Sequence, residues 1–193
     1  MIKLMPAVAA TLLAASTAAT AAGGGWYVGA AAGRADIRDV CGPFEAAGLS
    51  QSCDEDASGW KVYAGYNFTA NLGLEWGYVS LGEAKVVSPG TAGTATNESW
   101  AVPVAGVYHI PIGDRLDLFG KAGVYYFESE TKTSGNLIGS VQAVDDDGIE
   151  AMVGVGAAFN VWRNLDLRIE WEHYNDAGPG DVDTLLGGLQ WRF

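Results

Sequence analysis

The chain has 193 residues, of which 27 are glycine, about twice the share usual in soluble proteins. Hydrophobic residues make up 49% and charged residues 18%, a balance that excludes an intrinsically disordered chain. Eleven Lys and Arg against 23 acids give a formal charge of −12, which excludes the basic footprint of a nucleic-acid binder. The two cysteines, Cys41 and Cys53, are too few for a four-cysteine zinc site.

Residues 1–22 read MIKLMPAVAATLLAASTAATAA, with Lys3 as the single charge ahead of an apolar stretch and a run of small residues. That layout predicts a secretory signal peptide and leaves residues 23–193 as one exported domain. Export permits disulfides, so Cys41 and Cys53 are expected to pair. The bridge would hold the first long loop in shape and be worth roughly 3 kcal/mol in a chain-entropy account.

Beyond residue 23 no stretch is long and apolar enough for a membrane helix. Period two dominates instead, the signature of strands. It runs through 26–34, 60–68, 72–81, 100–110, 116–127, 149–160, 165–174 and 184–193. Each stretch has roughly the length of a tilted strand that crosses a bilayer. Short connections at 69–71, 111–115 and 161–164 alternate with long polar ones at 35–59, 82–99, 128–148 and 175–183. That rhythm matches outer-membrane barrels, whose inner turns are short and outer loops long.

Alternate residues of the eight stretches define an apolar face. It begins Trp26, Val28, Ala30 in the first, Trp60, Val62 in the second and Leu72, Leu74, Trp76 in the third, and it ends Leu189, Trp191, Phe193 in the eighth. Across all eight stretches this face carries no Asp, Glu, Lys or Arg. The opposite face carries Lys61, Glu75, Asp117, Lys121, Glu150, Asp166, Arg168, Glu170, Glu172 and Arg192. A soluble barrel does the reverse, so the outer solvent is predicted to be lipid, where a midplane Lys or Arg costs roughly 2–4 kcal/mol. Trp26, Trp60, Trp76, Trp100, Trp171 and Trp191 lie on the apolar face and are expected at the headgroup level. Open edges are not tolerated in lipid, so the eight strands must close. The predicted fold is all-β: an eight-stranded antiparallel up-and-down transmembrane β-barrel, expected as a monomer in the bacterial outer membrane.

Ten inward charges must pair or meet water. Glu75 and Arg168 each stand three residues beyond the start of a strand that rises from a short turn, and Lys121 and Glu170 each five. Equal depth predicts the pairs Glu75–Arg168 and Lys121–Glu170, with Gly154, Gly156 and Ala158 leaving room for the second. The alternative is that each charge solvates a water pocket of its own.

Several segments resemble the transmembrane domain of the outer-membrane protein A (OmpA) family. They are WYVGAAAG at 26–33, GLEWGYVSLG at 73–82, IPIGDRLDLFGKAGVYY at 110–126, LDLRIEWEHY at 165–174 and LGGLQWRF at 186–193. Their order and spacing extend the resemblance over 26–193, as in a member with the barrel alone and no periplasmic peptidoglycan-binding domain. The resemblance implies no enzymatic activity. It implies roles in envelope integrity, in surface contact with host cells or phage, and in weak pore activity. Implied partners are outer-membrane lipid and lipopolysaccharide, the assembly machinery with its periplasmic chaperones, and a host-cell or phage surface ligand. Leu189, Trp191 and Phe193 look like the signal that the assembly machinery reads. Glu75 and Arg168 match a lumen ion pair that blocks the family's pore, while the family's competing lysine and glutamate positions hold Val107 and Ala158. The pair is therefore expected to have no alternative partner, which ranks scaffold above pore.

An enzyme is the remaining rival. Lipid A deacylase barrels use a His–Ser pair two residues apart near the outer rim, but His173 is followed by Tyr174 and Asn175, so the nucleophile is missing. His173 is expected at the interface and His109 near the inner end. The acidic runs Asp54-Glu55-Asp56 and Asp145-Asp146-Asp147 lack Ca²⁺-loop spacing and are expected to be solvated. No catalytic, cofactor-binding or metal-binding residues are predicted.

Overall fold

The computed structural model describes residues 24–37, 52–53, 56–87, 94–134, 145–177 and 180–193. The region read as a signal peptide lies outside the described residues. The strands are β1 (Gly25–Ile37), β2 (Ser52–Cys53), β3 (Asp56–Asn67), β4 (Leu72–Val87), β5 (Thr94–Ile112), β6 (Leu116–Ser134), β7 (Asp145–Trp162), β8 (Leu165–Tyr174) and β9 (Val182–Arg192). β2 pairs only with the far end of β4. The other eight form an antiparallel ring, in which β1 joins β9 and the β4–β5 pairing closes the circle.

Alternation decides which way each side chain points, because successive Cβ atoms leave opposite faces of a strand. β1 shows the rule: Trp26, Val28, Ala30 and Ala32 are exposed, whereas Tyr27, Ala31 and Ala35 are buried. Every residue assigned to the apolar face lies on the outside, none of them buried.

The outer face carries two arcs of aromatic rings. Trp60, Tyr78, Trp100 and Tyr126 form one toward the long-loop end, with successive centroids 5.5, 5.6 and 5.9 Å apart. Trp26 touches Tyr66 at 5.0 Å and Trp76 at 5.8 Å in the other. Trp171 stacks on His173 near the outer end of β8. Trp191 and Phe193 are exposed at the inner end of β9.

The strands outrun the stretches read from sequence. β5 begins at Thr94 rather than at 100, and β6 runs on to Ser134. The connection expected over 128–148 therefore contains the end of β6 and the start of β7. Hydrophobic alternation stops where lipid stops, but backbone pairing needs no lipid and continues into water.

Two irregularities mark the β4–β5 seam. The register shifts between Ser80 and Gly82, where Gly82 takes φ 95°. Pairing also lapses between Trp76/Val104 and Val79/Ala101, opposite Pro103, which has no N–H to donate. A third irregularity, between Asn160 and Trp162, ends the β7–β8 ladder at its turn.

Candidate functional site in the filled lumen

Eight strands enclose an interior only wide enough for side chains. This interior is layered along the barrel axis. At the short-turn end a vestibule of about 420 Å³ is lined by polar groups that include His109, Asp117, Asn160, Asp166 and Arg192. His109 Nδ1 lies 2.6 Å from Asp117 Oδ2. Asp166 takes a two-point contact from Arg192, Nε to Oδ2 at 2.8 Å and Nη2 to Oδ1 at 2.9 Å.

Above the vestibule sits an aromatic shelf built on glycines. Tyr63 faces Gly29 across the β1–β3 ladder and Tyr27 faces Gly65, while Phe119 faces Gly156 across β6–β7. A Cβ on Gly29, Gly65 or Gly156 would collide with the facing ring, so the rings lie flat against the wall only because those positions are bare. Between two of these rings lies Arg168, its Cζ 4.5 Å from the Tyr63 centroid and 4.1 Å from that of Phe119. Both distances suit a cation over a π face.

The guanidinium enters a network of six charges. Arg168 donates to Glu75 at 2.8 Å and to Glu170 at 2.8 Å. Lys121 meets Glu75 at 3.1 Å, Glu170 at 2.7 Å, and Glu172. Lys61 meets Glu75 at 3.2 Å, Glu170 at 2.6 Å and Glu172 at 2.8 Å. Three cations and three carboxylates balance, and all six side chains are buried. Tyr27 and Tyr174 donate their hydroxyls to Glu75 and Glu172, and Gln190 accepts from Arg168 at 2.9 Å.

The remaining layer is apolar and fills the bore toward the long loops. Tyr174 packs edge-on to Tyr125 at 5.0 Å, and Tyr125 contacts Phe127 at 5.8 Å. Val79, Leu81, Met152, Ala177 and Val182 belong to the same buried cluster. Tyr125 Oη donates to the Asn175 carbonyl at 2.5 Å.

The expected pairs are both present, Glu75–Arg168 and Lys121–Glu170, but not as separate units. The expectation that Glu75–Arg168 lacks alternative partners is overturned. Lys61, Lys121 and Glu170 all compete, because closing the ring brings β3 and β6 within reach of β8. Val107 and Ala158 are buried in one cluster with Phe119. Lys61 and Glu172 are inward charges for which the sequence names no partner. Matching depth from the short turns could not find Lys61, since β3 descends and its depth is set by ring closure, and at the depth of Glu172 the rising strands β4 and β6 offer only Val79 and Gly123. Of the other four inward charges, Glu150 is exposed, Asp166 pairs with Arg192, and Asp117 pairs with His109.

Carboxylate atoms of Glu75, Glu170 and Glu172 lie within 4.8 Å of one another, the only such group among the described residues. Lys61, Lys121 and Arg168 already neutralise them, which leaves no net charge to attract a metal ion. His173 faces outward at the rim, with Nδ1 2.9 Å from Asp183 Oδ1. Cys41 lies outside the described residues, and Cys53 ends the two-residue strand β2.

Comparison with known proteins places these features in a family. The model of the OmpA-like transmembrane domain matches residues 21–185. Outer membrane protein A of Escherichia fergusonii is 26% identical over 175 residues, 87% of this chain and 48% of that protein. That of Salmonella typhi is 27% identical over 176 residues, with the same coverage. The chain thus spans about half the length of the curated relatives it matches. Among solved structures, Neisserial surface protein A aligns with TM-score 0.56 at 17% identity, covering 89% of this chain and 99% of that one. The attachment invasion locus protein Ail of Yersinia pestis aligns with TM-score 0.54 at 16% identity, covering 90% of this chain and all of that one. Those two structures share the fold. The chain is therefore an outer-membrane β-barrel and belongs to the OmpA-like transmembrane domain family.

Proposed function

We propose that this barrel is a closed, non-enzymatic scaffold that holds acidic outer loops at the cell surface for contact with a host cell or phage, and that it does not serve as a pore. The single observation that supports this reading is the layered filling of the lumen. A neutral six-charge network and an apolar layer stand in series, so loosening one leaves the other in the path. An ion entering the apolar layer would lose most of its hydration among Val79, Leu81, Met152 and Val182.

The competing reading is a small, low-conductance porin. Planar-bilayer recordings separate the two. The scaffold reading expects wild type to stay closed apart from rare events. It expects Glu75→Ala and Arg168→Ala to change conductance little, because the Tyr125–Tyr174 layer remains. Frequent large openings in the wild type, unchanged by either substitution, would overturn it.

In this reading the loop ends carry recognition, and the Cys41–Cys53 bridge constrains the first of them. Leu189, Trp191 and Phe193 act earlier, as the signal read during assembly.

A further inference from the structure

One aromatic residue escapes the alternation that governs the rest of the wall. The irregularity between Asn160 and Trp162 turns both Val161 and Trp162 outward, leaving Trp162 70% exposed. It is the most exposed large hydrophobic residue among those described. Next to it, Arg163 is held at φ 28°, in the left-handed region that favours glycine or asparagine. A basic residue at a left-handed position points to a use of its side chain.

The neighbouring turn brings a second arginine. Asn160 N–H donates to the Arg115 carbonyl at 2.7 Å, and Asn160 Nδ2 donates to the Arg163 carbonyl at 3.2 Å. A single residue thus ties the 113–115 and 163–164 turns together. Asn164 fastens the second turn to β9, with Nδ2 donating to the Arg192 carbonyl at 2.6 Å. Two flexible guanidiniums are presented by one rigid base, and both residues are exposed. The two turns together carry one net positive charge, Arg115 and Arg163 against Asp114, at the rim of the vestibule, whose other acids Asp117 and Asp166 are engaged by His109 and Arg192. The third nearby guanidinium, Arg192, is neutralised by Asp166.

We propose that Trp162, Arg163 and Arg115 form a binding site for the phosphate of an anionic phospholipid in the inner leaflet. Short turns face the periplasm in outer-membrane barrels, which puts this site at the inner headgroup level. The site adjoins the lipid-facing wall through Val161, so a lipid seated there would keep its acyl chains against the barrel. Trp162 supplies an amphipathic ring suited to that depth. The two guanidiniums supply forked donors that match phosphate oxygens, and each basic group near an anionic surface adds attraction.

The test uses the full folded chain in zwitterionic detergent micelles, titrated with short-chain phosphatidylglycerol, short-chain phosphatidylcholine or inorganic phosphate. Amide signals of 113–116 and 162–164, with the Trp162 indole N–H, give the readout. Saturable shifts with phosphatidylglycerol alone are expected. Arg115→Gln with Arg163→Asn should weaken them about tenfold. Asparagine suits the left-handed turn, so Arg163→Asn keeps or improves folding while removing charge. Equal response to phosphatidylcholine, an equal response to free phosphate, or undiminished affinity in the double variant would each overturn the proposal.

Discussion

Arg168 is fixed by three different kinds of neighbour. Glu75 and Glu170 satisfy its charge, Gln190 accepts another N–H, and the Tyr63 and Phe119 rings cover its two faces. Removing one member of such a buried cluster strands its partners, at a cost of about 3–5 kcal/mol. Arg168→Met should therefore destabilise the barrel by that order in urea unfolding followed by tryptophan fluorescence. Adding Glu75→Gln should return part of the loss, since the cluster regains charge balance. A double variant whose loss equals the sum of the two single losses would show that the groups do not interact. The inward direction of all six charges was legible from alternation alone. Their assembly into one cluster was not, because it depends on which strands a closed ring sets across from each other.

At the level of strands, β4–β5 is the least regular seam. Pro103 sits inside β5, buried, with its β6 partner Tyr125 in register but with no bridge to β4 at that level. Proline in a strand interior removes one ladder hydrogen bond. Pro103→Val should restore the donor and add about 0.5–1.5 kcal/mol to stability. Hydrogen exchange would report it as protection of the new residue-103 amide and increased protection at Gly77, which faces it. Unchanged protection there would mean that the seam is open for another reason. Strand number and facing were readable from residue type, because lipid enforces them. The outer strand ends and the turn irregularity beside Trp162 were not. Beyond the bilayer no face is under hydrophobic selection, and a one-residue irregularity leaves no compositional mark.

Across the whole molecule, the exterior is a continuous apolar band and the interior a stack of polar and apolar layers. The inner end of that band includes Leu189, Trp191 and Phe193, all exposed, and Phe193 N–H donates to the Trp26 carbonyl at 2.9 Å. If these residues guide assembly, Phe193→Ala should lower the yield of heat-modifiable, protease-resistant barrel in cells, while purified protein refolded in detergent reaches the same final state. Equal cellular yields of the variant and the wild type would remove Phe193 from the assembly signal. Membrane residence is legible in the sequence because the bilayer writes its constraint on every second residue, and family membership is legible in the segments that resemble the OmpA transmembrane domain. A surface partner leaves no comparable pattern.

The six-charge network also partitions by hairpin. The β3–β4 hairpin brings Lys61 and Glu75 and is balanced by itself. The β5–β6 hairpin brings only Lys121, and β7–β8 brings Arg168 with Glu170 and Glu172, so each carries one unit of opposite sign. Docked side by side, those two hairpins cancel through Lys121 and its glutamates. Within the network, β3–β4 and β5–β8 are thus each neutral sets. Lys121 is therefore the residue whose loss would leave the β7–β8 hairpin with an unbalanced buried carboxylate.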